Sequence, residues 1–258
     1  MRDDREDNRS DRMEGRNAVR EALLSGREIN KLWVLNPKDG KRVDKTLNEI
    51  LTLAKERKIV VVRCDRRLLD SMSSTGNHQG VIAAVASHEY KDVDEIVDEA
   101  LAKGHAPLLV ALDEIKDSYN LASVLRISDA AGVDGIIIPK HRSVALDAVV
   151  SKLSAGAVEY VPVARVTNLS TTLEDLKKRN FWVCGTDMEG AVDYDKADLK
   201  GPLVIVIGSE GEGMRDKVSK ACDFKVKIPM QGHVNSLNAA VACGIVVFEA
   251  ARQRKEQL

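Results

Sequence analysis

Four cysteines, Cys64, Cys184, Cys222 and Cys243, are spread over 258 residues without one C-x-x-C pair. That pattern argues against a zinc centre or a disulfide framework and for reduced thiols in the cytosol. No apolar run approaches the roughly 20 residues that a bilayer-crossing helix needs. Nor do the first twelve residues, MRDDREDNRSDR, contain the apolar core of a secretory signal. Net charge is nearly absent too, at −1, but it is unevenly spread. Residues 13–86 carry 14 Lys/Arg against 9 Asp/Glu, residues 87–105 carry 2 against 6, and residues 106–258 carry 19 against 20. A segment that meets a polyanion would look like the first of these, and so would an ordinary solvated face. Apolar residues make up 44% of the chain and charged ones 31%, the balance of a globular protein with a substantial core.

The length favours two domains. Residues 1–12 are too polar to bury anything and read as a disordered leader. Residues 13–86 read as a small α/β unit. Val19, Leu23 and Leu24 have helical spacing closed by Gly26, and Leu47, Ile50, Leu51 and Ala54 form a second helical stripe. Strands are expected at Lys31–Asn36, Ile59–Cys64 and Val81–Ala86. The acidic stretch 87–105 reads as a linker, with a helix suggested by Val93, Ile96, Val97 and Leu101. From residue 106 to 258, apolar strand-like runs alternate with helical patterns, the rhythm of a mostly parallel sheet with helices on both faces. The runs are Leu108–Leu112, Gly135–Ile138, Val161–Val166, Phe181–Gly185, Leu203–Ile207 and Lys225–Ile228. Ligands of such sheets bind at the carboxyl ends of the strands.

Three motifs fall at those ends. The first runs from Asp113 through Asn120 to Arg126. Asn120 reads as a helix cap at least as readily as a functional group, whereas Arg126 stands among Leu121, Val124, Leu125 and Ile127. The second is Gly208-Ser-Glu210-Gly211-Glu-Gly213. Its spacing is G-x-x-G-x-G and not the dinucleotide fingerprint. A carboxylate repels phosphate, so Glu210 suits a cationic ligand such as a sulfonium. The third runs from Ile228-Pro-Met230 to Asn235-Ser236-Leu237-Asn238. Ser236 or Asn235 could simply cap the last helix. Alternatively Ile228, Met230 and Leu237 could sandwich an adenine while Ser236 and Asn238 supply catalytic groups.

In this order and separation the three motifs resemble the SpoU/TrmH family of RNA ribose 2′-O-methyltransferases. The resemblance extends over residues 13 to 254. It includes Glu14-Gly15-Arg16-Asn17, His78-Gln79-Gly80 and Lys152-Leu-Ser154-Ala-Gly156. Within the family the chain most resembles the branch that methylates a guanosine of 23S ribosomal RNA. The resemblance implies a small RNA-binding domain over 13–86, a C-terminal trefoil knot in a SPOUT-like sheet, S-adenosylmethionine as cofactor and a cytoplasmic homodimer, with neither metal nor membrane involved. By position it implies Asn120, Arg126, Glu210, Ser236 and Asn238 as the catalytic group, and Gly208, Gly213, Ile228, Met230 and Leu237 as cofactor contacts. A guanidinium is not deprotonated in proteins, so Arg126 is expected to orient the ribose or a phosphate and to stabilise oxyanion charge. Two positions depart from the family's pattern: Ser118 stands where it has proline and Ala122 where it has glycine. Competing targets are a tRNA ribose or an antibiotic-protected rRNA adenosine. Competing classes are a catalytically silent ribosome-assembly factor and a nicotinamide-dependent oxidoreductase.

Overall fold

A computed structural model describes residues 12–36, 45–73, 75–86, 88–188, 191–233 and 236–255. The chain divides into two compact units, one running to Glu89 and including Ala145–Ser151, the other comprising Tyr90–Val144 and the chain from Lys152 onward.

In the first unit β1 (Arg12–Glu14), β2 (Ile29–Leu35), β3 (Val60–Cys64) and β4 (Val81–Val85) form a sheet in the order β1-β4-β2-β3. Only β2 and β3 pair in parallel. Helices α1 (Arg16–Leu24) and α2 (Lys45–Glu56) bury Val19, Leu23 and Ile50 against Leu32, Val34 and Ala83. Helix α3 (Arg66–Met72) buries Leu69 and Met72 with Cys64 and Ile82. Arg12, expected in the leader, is part of the fold: it pairs with Ala84, and its Nη1 donates to Met72 O at 3.2 Å. The rest of that leader lies outside the described residues, as does Asn235. Two stretches quoted above meet here. Arg16 donates to Gln79 through its backbone N (3.1 Å) and its Nε (2.9 Å). Gly80 N donates to His78 Nδ1, which leaves the His78 Nε2 proton for Asp70, at 2.9 Å. In the returning segment, Leu146 O accepts from Asn30 Nδ2 at 3.1 Å.

The second unit holds β5 (Leu108–Leu112), β6 (Gly135–Pro139), β7 (Val163–Val166), β8 (Trp182–Thr186), β9 (Val192–Asp193), β10 (Leu203–Ile207) and β11 (Phe224–Lys227). They pair throughout in parallel, in the order β7-β6-β5-β10-β8-β11-β9. Every residue of β5, β6 and β10 is buried, as expected of strands covered on both faces. The helices, in chain order, are α4 (Val93–Ala102), α5 (Ser118–Ala131), α6 (Ala148–Leu153, shared with the returning segment), α7 (Leu169–Lys178), α8 (Asp216–Ala221) and α9 (Ala239–Lys255). Residues 90–105 are therefore no connector. Ile96 and Val97 of α4 are built into the same core as Leu109, Leu173 and Val204, and the acidic residues lie on the helix's outer side. Helix α9 packs on α5. Its end is clasped by Arg254, whose Nη1 donates to Ala106 O at 2.6 Å and whose Nε donates to Leu199 O at 3.2 Å.

The strand order sets the position of the site. Strand β10 enters between β5 and β8, with Ile207 in register with Leu112 and Val206 with Gly185. The loops after β5, β8, β10 and β11 therefore emerge side by side at one sheet edge.

Candidate active site

The carboxyl ends of β8, β10 and β11 open onto a cavity of about 340 Å³, a size usual for small-molecule sites. It is lined by Gly208–Gly213 after β10, by Ile228, Met230, Ser236 and Leu237 after β11, and by Ala239 and Ala242 of α9. Ile207, Val226 and Lys227 at the strand ends also line it, as do Thr186, the last residue of β8, and Asp187 and Met188 after it. The sequence reading missed the last three because it closed that strand at Gly185. Their signal is positional: they end or follow a strand adjacent to β10.

The glycine loop is knit to itself. Ser209 and Gly213 exchange both backbone hydrogen bonds, each 3.0 Å long. Gly213 has φ +69°, which side chains disfavour. A Cβ on Gly208 would lie 2.3 Å from Gly213 C and 2.5 Å from Met214 N. The first position thus needs glycine for space and the last for backbone conformation. A clamp with a buried carboxylate holds the loop's exit. Asp113 is fully buried after β5 and accepts from Arg215 N at 2.8 Å, Nε at 2.9 Å and Nη2 at 2.6 Å. Next to it Glu114 pairs with Arg142 at 3.1 Å, a contact that holds its carboxyl below the usual range.

Three predicted catalytic residues meet at the cavity's edge. Glu210 Oε1 accepts from Asn238 Nδ2 at 2.6 Å, Asn120 Nδ2 at 3.1 Å and Ala239 N at 3.4 Å. Asn238 Nδ2 also donates to Asn120 Oδ1 at 2.8 Å. Asn238 also takes the capping role that the sequence left open for Ser236 or Asn235: its Oδ1 caps α9 by accepting from Ala240 N at 3.0 Å. Asn120 caps nothing. Asp117 does that for α5, accepting from Asn120 N at 3.1 Å, and so it fixes the turn where the family has proline. Ala122 is buried in the packing of α5, so its methyl is accommodated. Glu210 therefore orients two amides, and within one chain it does not hold Arg126. Its partners are all neutral, so its negative charge still faces the cavity.

Arg126 lies elsewhere. It is exposed and borders a second cavity with Ser123, Gly156, Tyr160 and Phe248. The reason is helical geometry: six residues advance about 600°, leaving Arg126 some 240° around the axis from Asn120. Apolar neighbours in sequence did not imply burial, because Leu121, Val124 and Leu125 occupy the opposite stripe. Thiol chemistry has no part in the site. Burial pushes the Cys222 and Cys243 thiols up to about 12, so neither supplies a thiolate. Among the described residues no group of three His, Cys, Asp or Glu side chains could hold a metal ion, and no helix is long and apolar enough to cross a membrane.

Known proteins resemble both the catalytic-side and the N-terminal segments of the chain. A family model described as the SpoU rRNA methylase family matches residues 107–248, and one described as RNA 2′-O ribose methyltransferase substrate binding matches residues 13–91. A protein of Staphylococcus haemolyticus, whose description assigns it to the TrmH family of tRNA/rRNA methyltransferases, is 47% identical over 94% of this chain and 95% of its own length. A similarly described protein of Bacillus subtilis is 45% identical over 93% and 94%. Among solved structures, the rRNA methyltransferase of Sinorhizobium meliloti is 26% identical, covering 96% of this chain and 89% of its own, with a TM-score of 0.57. The AviRb methyltransferase of Streptomyces viridochromogenes, solved with AdoMet, is 24% identical over 99% and 95%, with a TM-score of 0.60, and shares the fold. The chain belongs to the SpoU rRNA methylase family, a family of RNA methyltransferases.

The double duty of Asn238 separates stability from turnover. Asn238→Ala removes the α9 cap and is expected to cost about 1–2 kcal/mol of stability, together with activity. Asn238→Asp keeps an acceptor for Ala240 N but sets a carboxylate against Glu210. It should recover the capping part of the stability that Asn238→Ala loses and still lose most methyl transfer. Thermal melts and turnover of both variants decide this, and equal turnover in Asn238→Asp and wild type would remove Asn238 from the site.

Proposed function

We propose that the chain transfers a methyl group from S-adenosylmethionine to a ribose 2′-hydroxyl of 23S ribosomal RNA, at a guanosine, as a cytosolic homodimer. The observation that carries this reading is the Asn120–Glu210–Asn238 junction at the edge of the cavity. The cavity's chemistry fits the donor. Ile228, Met230 and Leu237 offer apolar contacts for an adenine, and the Glu210 carboxylate favours a positively charged sulfur. When bound, S-adenosylmethionine supplies an electrophilic methyl group. The C–O bond forms as the C–S bond breaks, and the hydroxyl proton leaves to solvent.

The chain's own contribution is alignment. Asn120 and Asn238, fixed by Glu210, and the Ser236 hydroxyl position the 2′-oxygen, and such alignment can supply on the order of 7–11 kcal/mol. Arg126 completes the site across a dimer: the face bearing Arg126, Tyr160 and Phe248 is covered by a second copy, which brings Arg126 of the partner subunit to this cavity. In support, Tyr160 is 77% and Phe248 50% exposed. The late insertion of β10 between β5 and β8 is compatible with the trefoil knot. Residues 13–86, with their basic excess, select the RNA through phosphate and shape contacts.

The test is transfer of isotopically labelled methyl groups to RNA from a strain lacking the protein, followed by mass mapping. The expected product is a 2′-O-methylguanosine in 23S rRNA. Label in tRNA or on an adenosine redirects the target, and no label in any RNA leaves a catalytically silent RNA-binding protein.

A further inference from the structure

We propose that Tyr119 is the platform on which the base of the target nucleotide stacks, an inference that rests on the ribose-methylation reading above. Tyr119 is 62% exposed on the first turn of α5. Its backbone neighbour Asn120 is tied to Glu210 and Asn238, and buried Leu121 and Ala122 anchor the same turn. An exposed ring is thus presented from a rigid support one residue from the polar junction. Among the described residues its hydroxyl makes no hydrogen bond, so no hydrogen bond among them accounts for its placement.

Geometry supplies the rest. The base hangs from the ribose carbon adjacent to the one bearing the reacting hydroxyl. A nucleotide with its 2′-oxygen at Asn120 therefore keeps its base within reach of the neighbouring side chain. No lining residue of the cavity is aromatic, and single-stranded bases are held above all by aromatic stacking. Ser123 and Arg126 lie four and seven residues on, on the same exposed helix face.

The experiment compares Tyr119→Ala, Tyr119→Leu and Tyr119→Phe in methyl transfer to 23S rRNA isolated from a strain lacking the protein. Titration with S-adenosylhomocysteine and sedimentation are run in parallel. Because the side chain is exposed, the fold should survive substitution. Ala and Leu are expected to raise KM for RNA by about tenfold or more, with cofactor affinity and dimerisation unchanged. Phe, which keeps the ring, should stay close to wild type. A KM for Tyr119→Ala within twofold of wild type overturns the platform and leaves methylation standing, as does a variant that falls apart into monomers. A wild-type protein that methylates no RNA takes both readings away.

Discussion

Gly208→Ala is expected to cost about 1–3 kcal/mol of stability, the range for forcing extra atoms into a packed region, and to weaken S-adenosylhomocysteine binding by at least about 100-fold, as ångström-scale misplacement at a site can. The added Cβ would meet Gly213 C at 2.3 Å, Met214 N at 2.5 Å and Gly213 O at 2.6 Å. All three are backbone atoms, so no side chain can swing aside. Relief requires opening the paired Ser209–Gly213 hydrogen bonds, and the cavity wall they maintain opens with them. Gly211→Ala is the matched control. It has φ +83°, but a Cβ there has nothing within 4 Å. It should cost only about 1–2 kcal/mol of left-handed backbone strain and change cofactor affinity by no more than a few-fold. Melting curves and calorimetric titration of the two variants check the contrast. Equal cofactor binding by Gly208→Ala and wild type would mean that the loop does not wall the cofactor site.

What the sequence disclosed about the fold follows burial on two faces. Strands β5 and β10 coincide with continuous apolar runs because helices cover both of their sides, and α7 coincides with its apolar stripe of Leu169, Leu173 and Leu176. Two short elements were not visible. Strand β9 has two residues and α8 six, too few for a periodicity to declare itself. Composition misled over α4: its apolar stripe was legible, but the acidic outer face made the segment read as a linker and not as part of the core. Within the site, the loop residues could be read because glycines interleaved with carboxylates in such a loop have few other uses. The Asp113–Arg215 clamp could not, because its members lie 102 residues apart and only the insertion of β10 beside β5 brings them together. The same limit applies to Arg126. The family resemblance grouped it with the polar junction, and the 100° step of the helix turns it to another face of the same chain.

Arg126→Ala is expected to lower kcat by about 100- to 1,000-fold, the usual cost of removing a group that stabilises developing charge, while S-adenosylhomocysteine affinity stays within about twofold. The asymmetry arises because Arg126 does not line the cavity of its own chain and so contributes nothing to cofactor contacts there. Arg126→Lys should recover little, since an ammonium lacks the planar fork that engages a ribose or phosphate oxygen in a fixed orientation. The composite site makes a sharper demand. In a two-fold dimer each centre would draw Asn238 from one subunit and Arg126 from the other. Arg126→Ala and Asn238→Ala would each be inactive alone, yet after subunit exchange half of the dimers are mixed and carry one intact centre of two. Activity should return to about a quarter of wild type. If the mixture stays as inactive as its components while sedimentation shows exchange, Arg126 does not act across the dimer.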